Sequence, residues 1–169
     1  RSRQGFGTCF TVQIPLIIQE KVRPAPGEEL PEVEPSEREM LKVLVVEDNK
    51  VNQMILQKIL ESWGQSVELA DSGVEALERC KAQDFDIILM DIQMPEMDGL
   101  EATRRIREFQ RGKGKPYVPV IAVTANAFSE EKERYKEAGM DGYVSKPLSK
   151  KELNDEIVRC VSPTRILGV

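Results

Sequence analysis

Residues 41–47 form an apolar, largely β-branched run that ends on Glu47, with a second acid, Asp48, directly after it. Comparable short runs recur at 66–70, 86–91, 118–123 and 142–145. Runs of this length and composition read as strands of a parallel sheet buried on both faces. Between them the apolar spacing changes to that of helices. Asp48 or Asn49 can cap a helix over 50–63, with Val51, Ile55, Ile59 and Trp63 at helical spacing and Gly64 as its stop. Met54, Leu56 and Leu60 widen the apolar stripe beyond what one buried face needs, and core packing is expected for most of it. The alternative is a partly exposed Met/Leu surface beside the acids that could dock a helical partner. Ser72 caps a helix to about residue 82, with Val74, Leu77 and Lys81 near one face. Asp98 caps another to about 110, carrying Leu100, Ile106 and Phe109 among arginines. A charged, solvated helix is expected over 129–138. Ser149 caps a last helix to about 161, with Leu153, Ile157 and Cys160 inward. Five strand–helix repeats predict an α/β fold, a parallel sheet with helices on both faces.

The pattern breaks on the amino-terminal side. Residues 21–40 are rich in proline and glutamate and read as an extended linker. Ahead of it, in a separate piece over 1–20, apolar and polar residues alternate from 10 to 14 after a glycine turn, as in one strand. A lone strand needs a sheet to join. The chain begins Arg1-Ser2-Arg3 and is expected to be a fragment. Residues 163–169 are a tail.

Charge and chemistry narrow the picture. The net charge of −5 gives no electrostatic case for nucleic-acid binding, and no apolar run is long enough for a membrane helix. Cys9, Cys80 and Cys160 are widely spaced, as befits ordinary thiols. The chain has no histidine, which removes imidazole ligands, histidine-activated nucleophiles and any phosphohistidine of its own. Glu47, Asp48 and Asp91 all follow apolar strands, so they should meet at the carboxyl edge of the sheet, where open α/β sheets bind ligands. Three carboxylates in one crevice call for a cation, and Mg²⁺ is the expected one.

Four separated motifs agree in order: 46–49 (VEDN), 90–99 (MDIQMPEMDG), 122–127 (AVTANA) and 142–147 (GYVSKP). Over residues 41–162 the chain resembles the receiver domain of two-component response regulators. The resemblance implies a flavodoxin-like (CheY-like) fold with strand order 2-1-3-4-5. It implies that Asp91 accepts a phosphoryl group, with Mg²⁺ held by Glu47, Asp48, Asp91 and the Gln93 backbone carbonyl. Lys146 would pair with Asp91 and then with the phosphoryl group, aimed inward by a cis Lys146–Pro147 bond. The Thr124 hydroxyl and the Ala125 backbone N–H would donate to phosphoryl oxygens, and Thr124 with Tyr143 would form the conformational switch. Gln93 and Asn126 stand where the family tunes dephosphorylation. The Asp98-Gly99 pair reads as turn and cap chemistry.

Residues 5–15 resemble the last glycine box and final strand of the histidine kinase ATP-binding domain. Together the resemblances imply the receiver of a hybrid sensor histidine kinase. Its implied partners are a histidine kinase phosphodonor domain and a histidine phosphotransfer protein, with a second copy of the chain as a further candidate. A cytoplasmic place follows, the parent kinase being anchored through regions outside this chain. Two rival readings are a phosphorylation-independent interaction or dimerisation module, and a phosphohydrolase of the haloacid dehalogenase type. The latter needs an acid two residues after the nucleophile, where Gln93 stands.

Overall fold

The computed structural model describes residues 2–3, 7–8, 40–125 and 129–166. They fall in two units, one within 1–37 and one within 38–169. In the first, Ser2–Arg3 pairs antiparallel with Gly7–Thr8. The alternating stretch 10–14, the linker up to residue 39 and Asn126 lie outside the described residues.

In the second unit the strands are β1 (Lys42–Val46), β2 (Ser66–Ala70), β3 (Ile87–Asp91), β4 (Val120–Thr124) and β5 (Gly142–Ser145). All pair in parallel, in the order β2-β1-β3-β4-β5. This is the flavodoxin-like order expected from the sequence. The helices are α1 (Lys50–Ser62), α2 (Gly73–Ala82), α3 (Gly99–Lys113), α4 (Ser129–Glu137) and α5 (Lys150–Ile166).

Successive strand residues point to opposite faces. Val43, Val45, Ile87, Leu89, Ile121, Val123 and Val144 pack with Leu56, Ile59 and Leu60 of α1 and Leu153, Ile157 and Cys160 of α5. Leu44, Val46, Ile88, Met90, Val120 and Ala122 pack with Ala76 and Cys80 of α2, Leu100 and Ile106 of α3 and Tyr135 of α4. The sheet therefore carries two separate apolar cores.

Two helices turn part of the expected face outward, although Leu56, Ile59 and Leu60 of α1 are buried and Leu77 of α2 packs on the core. On α1, Val51, Met54 and Ile55 are 65%, 52% and 46% exposed, while Gln53, Leu56, Ile59 and Leu60 are buried. Gln53 tolerates the core because its Nε2 donates to the carbonyls of Glu47 (2.8 Å) and Ala70 (3.1 Å) and to Asp71 Oδ1 (2.7 Å). On α2 the buried residues are Gly73, Ala76 and Cys80, whereas Val74 and Lys81 face outward. Close approach to α3 decides this: a Cβ at Gly73 would lie 2.8 Å from Ala102 Cβ. The charged reading of α4 misses Tyr135, which is buried. α3 runs three residues past its expected end and stops at Gly114, in the left-handed conformation at φ 60°. α5 runs five residues past its own expected end.

A polar hub closes the amino end of β4. The buried Arg107 donates to the carbonyls of Gly139 (3.0 Å) and Val118 (2.7 Å), to Gln110 (2.8 Å) and to Asp141 Oδ2 (2.9 Å). The Tyr117 ring stacks on its guanidinium at 4.0 Å.

Candidate functional site

Glu47, Asp91 and Lys146 each continue the alternation of strand residues that face α1 and α5, and each stands at a carboxyl end. Val46 is opposite Met90, which sets Glu47 level with Asp91. The side chains meet accordingly. Lys146 Nζ donates to Glu47 Oε2 and to Asp91 Oδ2, both at 2.7 Å. The Lys146–Pro147 peptide bond is cis, as expected. Asp48 completes the acidic group: oxygens of Glu47, Asp48 and Asp91 lie within 4.8 Å of one another.

Burial sharpens the electrostatics. Glu47 is 1% and Asp91 4% exposed, while Asp48 faces solvent. Burial pushes the Asp91 carboxyl above its ordinary range and the nearby Glu47 charge adds to this, against the opposing pull of Lys146 and the Gln93 amide. Burial pushes Glu47 up as well, but hydrogen bonds from Lys146 and Asn52 outweigh it and hold Glu47 below the usual carboxylate range. Burial works against the Lys146 ammonium, but its bonds to Asp91 and Glu47 hold it above its ordinary value.

Three carboxylates against one ammonium leave two negative charges uncompensated. A hard divalent cation with oxygen ligands matches that deficit, and Mg²⁺ fits because it takes a few carboxylates and keeps water for the rest of its shell. Gln93 itself is exposed, and its backbone N–H donates to Asp91 Oδ1 at 3.0 Å. Lys146 and this amide thus hold the two oxygens of Asp91 from different sides.

Thr124 ends β4, one residue past Val123, the partner of Asp91, and is 2% exposed. Ala125 follows it and is exposed. Tyr143 on β5 is half-buried against the α2–α3–α4 core, with the Lys132 ammonium 4.6 Å over its ring.

Several contributors were not legible as site residues. Asn52 Nδ2 donates to Glu47 Oε1 at 3.0 Å and fixes the buried carboxylate, one turn into α1. Asn49 caps α1 by accepting from the Val51 and Asn52 amides. Asp98 caps α3 as expected, accepting from the Glu101 amide at 2.8 Å. Gly99 does more than turn the chain. Its N–H donates to the Ile92 carbonyl at 3.1 Å, and a Cβ there would overlap the Asp91 carbonyl oxygen. Its signal in sequence is a glycine at the first position of a helix that starts just after the acid-bearing strand.

Comparison with known proteins places this geometry. The signal transduction histidine-protein kinase BarA of Escherichia coli K12 is 43% identical over 119 residues, covering 70% of this chain and 13% of that protein. Hybrid signal transduction histidine kinase L of Dictyostelium discoideum is 41% identical over 159 residues, covering 92% of this chain and 9% of that protein. The chain thus spans a small part of each. Among solved structures, the receiver domain of sensor histidine kinase PA1611 from Pseudomonas aeruginosa PAO1 has a magnesium ion coordinated in its active site cleft. It is 39% identical, with a TM-score of 0.65 over 72% of this chain and 98% of that one. A co-crystal structure joins the Saccharomyces cerevisiae histidine phosphotransfer signaling protein Ypd1 and the receiver domain of its downstream response regulator Ssk1. It matches at 31% identity, with a TM-score of 0.70 over 76% of this chain and 94% of that one. Residues 43–158 match the family model described as the response regulator receiver domain, and with five parallel strands in the shared order the chain belongs to that family.

Proposed function

We propose that this chain is the phosphoacceptor receiver of a hybrid histidine kinase, taking a phosphoryl group from a phosphohistidine onto Asp91. The observation that carries this reading is Lys146 Nζ bridging the buried carboxylates of Glu47 and Asp91 beside the exposed Asp48.

An Asp91 carboxylate oxygen attacks phosphorus, a new O–P bond forms, and the N–P bond to the donor imidazole breaks. The departing nitrogen keeps the bonding pair and takes up a proton. The Gln93 amide and Lys146 orient the attacking carboxylate, and Lys146 then neutralises charge on the transferred group. The Thr124 hydroxyl and the Ala125 backbone N–H donate to its oxygens, and Tyr143 responds as Thr124 moves. Glu47, Asp48, Asp91 and the Gln93 backbone carbonyl would hold Mg²⁺, which offsets negative charge on the phosphoryl oxygens when bound.

The partners are a histidine kinase phosphodonor domain and a histidine phosphotransfer protein. Relay onward to the latter, or hydrolysis, discharges Asp91. Val51, Met54 and Ile55 form an exposed apolar face that starts one turn from Asp48, suited to an amphipathic partner helix. Residues from 41 on make up the receiver, whose last helix continues past residue 162 to Ile166, and 21–40 form a linker. Residues 1–20 would be the end of a preceding ATP-binding domain. The receiver of such a kinase would be cytoplasmic; among the described residues no helix is long and apolar enough to cross a membrane.

Mixing the chain with Mg²⁺ and a radiolabelled phosphohistidine phosphotransfer protein tests the reading. Label should pass to the chain, and Met54→Glu should slow transfer from the protein while sparing labelling by acetyl phosphate. No transfer from any such protein, with Asp91→Asn behaving as the parent chain does, would leave only an interaction module.

A further inference from the structure

α4 is charged along most of its length, yet Tyr135 within it is 4% exposed. Its hydroxyl lies 3.1 Å from Thr124 Oγ1 and 2.9 Å from Glu131 Oε2. A phenol has one proton, and an ionised carboxylate only accepts. The Tyr135 proton therefore goes to Glu131, and the shorter of the two contacts is charge-assisted. With its own proton on the carboxylate, the Tyr135 oxygen has a lone pair that can accept the Thr124 hydroxyl proton across the 3.1 Å contact. Burial raises the phenol above its ordinary value, so it remains protonated at neutral pH.

We propose that Tyr135 is a positioning residue for the switch: in the resting domain it accepts the Thr124 hydroxyl proton, and a phosphoryl group on Asp91 must compete with it for that proton. The proposal rests on the reading of Thr124 as a phosphoryl-oxygen donor. A threonine hydroxyl has a single proton and cannot serve both acceptors at once. The same helix also grips β5 three residues earlier, where Lys132 lies over the Tyr143 ring. Residues three apart share a helix face, so α4 holds both switch positions, Thr124 and Tyr143, from one side. Release of Thr124 loosens one of these two grips, which gives α4 a direct part in reporting the state of Asp91.

Tyr135→Phe keeps the ring and removes the acceptor. In the full chain with saturating Mg²⁺, the affinity for BeF₃⁻, a phosphoryl mimic, should rise about two- to tenfold, the range set by one net hydrogen bond. Mg²⁺ affinity without BeF₃⁻ should stay the same. Glu131→Ala frees the Tyr135 proton to point at Thr124 and should shift BeF₃⁻ affinity in the same direction, without touching the core. Thr124→Ala should weaken BeF₃⁻ binding, and adding Tyr135→Phe to it should change nothing further. A Tyr135→Phe affinity equal to or below the parent's overturns the proposal, as does the same gain in the Thr124→Ala background. If Thr124→Ala itself binds BeF₃⁻ like the parent, the donor reading of Thr124 fails and the latch fails with it. An unchanged Tyr135→Phe beside a weakened Thr124→Ala sinks the latch alone.

Discussion

Lys146→Met removes the ammonium that bridges Glu47 and Asp91 and leaves a side chain of similar length. Both carboxylates stay buried, and breaking one side of such an ion pair costs about 3–5 kcal/mol. Two features place this site at the low end. The Lys146 side chain is 23% exposed, so water already screens the pair. Asp91 is held above its ordinary range by burial and can take up a proton in place of the lost partner. A loss of about 3 kcal/mol lowers the melting temperature by about 10 °C in a domain of this size. Mg²⁺ should return part of the loss. In the parent chain the ion enters beside an ammonium, and in the variant it does not. Removing that like charge tightens binding on the order of tenfold, or ~1.4 kcal/mol at saturation. Urea unfolding with and without Mg²⁺ measures all four stabilities. The stability gap between parent and variant should be widest in EDTA and narrow by ~1.4 kcal/mol in saturating Mg²⁺. Equal stabilisation of both chains by Mg²⁺ would refute the idea that ammonium and metal answer to the same carboxylates.

Gly99→Ala should destabilise by about 2–3 kcal/mol and weaken Mg²⁺ binding together, because the new Cβ meets only backbone at Asp91 and Ile92, which no rotamer relieves; parent-like unfolding and Mg²⁺ titrations would contradict this. Arg107→Met should cost about 2–4 kcal/mol in urea unfolding yet leave Mg²⁺ affinity intact, since the hub it holds lies at the amino end of β4 and the acids at the carboxyl edge. Burial pushes the Cys80 and Cys160 thiols up to about 11. Between their ordinary value of about 8.5 and that range the native state keeps protons the unfolded chain has released, so stability falls as pH rises from 8 to 10. In a Cys9→Ser background both thiols should alkylate slowly until urea unfolds the chain; native rates equal to unfolded ones would count against their burial.

The strands were legible because each is a short apolar run, and an acid, a threonine or a lysine at its end marks the rim. Local pattern alone aligned Glu47, Asp48 and Asp91 with the carboxyl edge, and the family resemblance added Thr124 and Lys146. Helix faces were harder. α1 offers two apolar stripes, and the one through Val51 and Ile55 lost to the one through Leu56 and Leu60 because Gln53 is needed inside to take the Glu47 and Ala70 carbonyls. Hydrophobicity scores glutamine as surface and cannot see that tertiary demand. On α2, small residues won over Val74 because helix–helix distance set the choice. Tyr135 was hidden by its charged neighbours, although a single aromatic in a charged helix, three residues before Ala138, marks a narrow buried stripe. Asn52 and Gly99 act through contacts to the backbone and side chains of other elements, which spacing along the chain does not encode.

The central claim is that Asp91 is the residue that becomes phosphorylated. The direct measurement is to incubate the chain with Mg²⁺ and acetyl phosphate, trap the acyl phosphate with borohydride and locate the reduced residue by peptide mass spectrometry. The account predicts reduction at residue 91, abolished by EDTA and absent in Asp91→Asn. Reduction at another acid, or Asp91→Asn labelled at the parent rate, would contradict it.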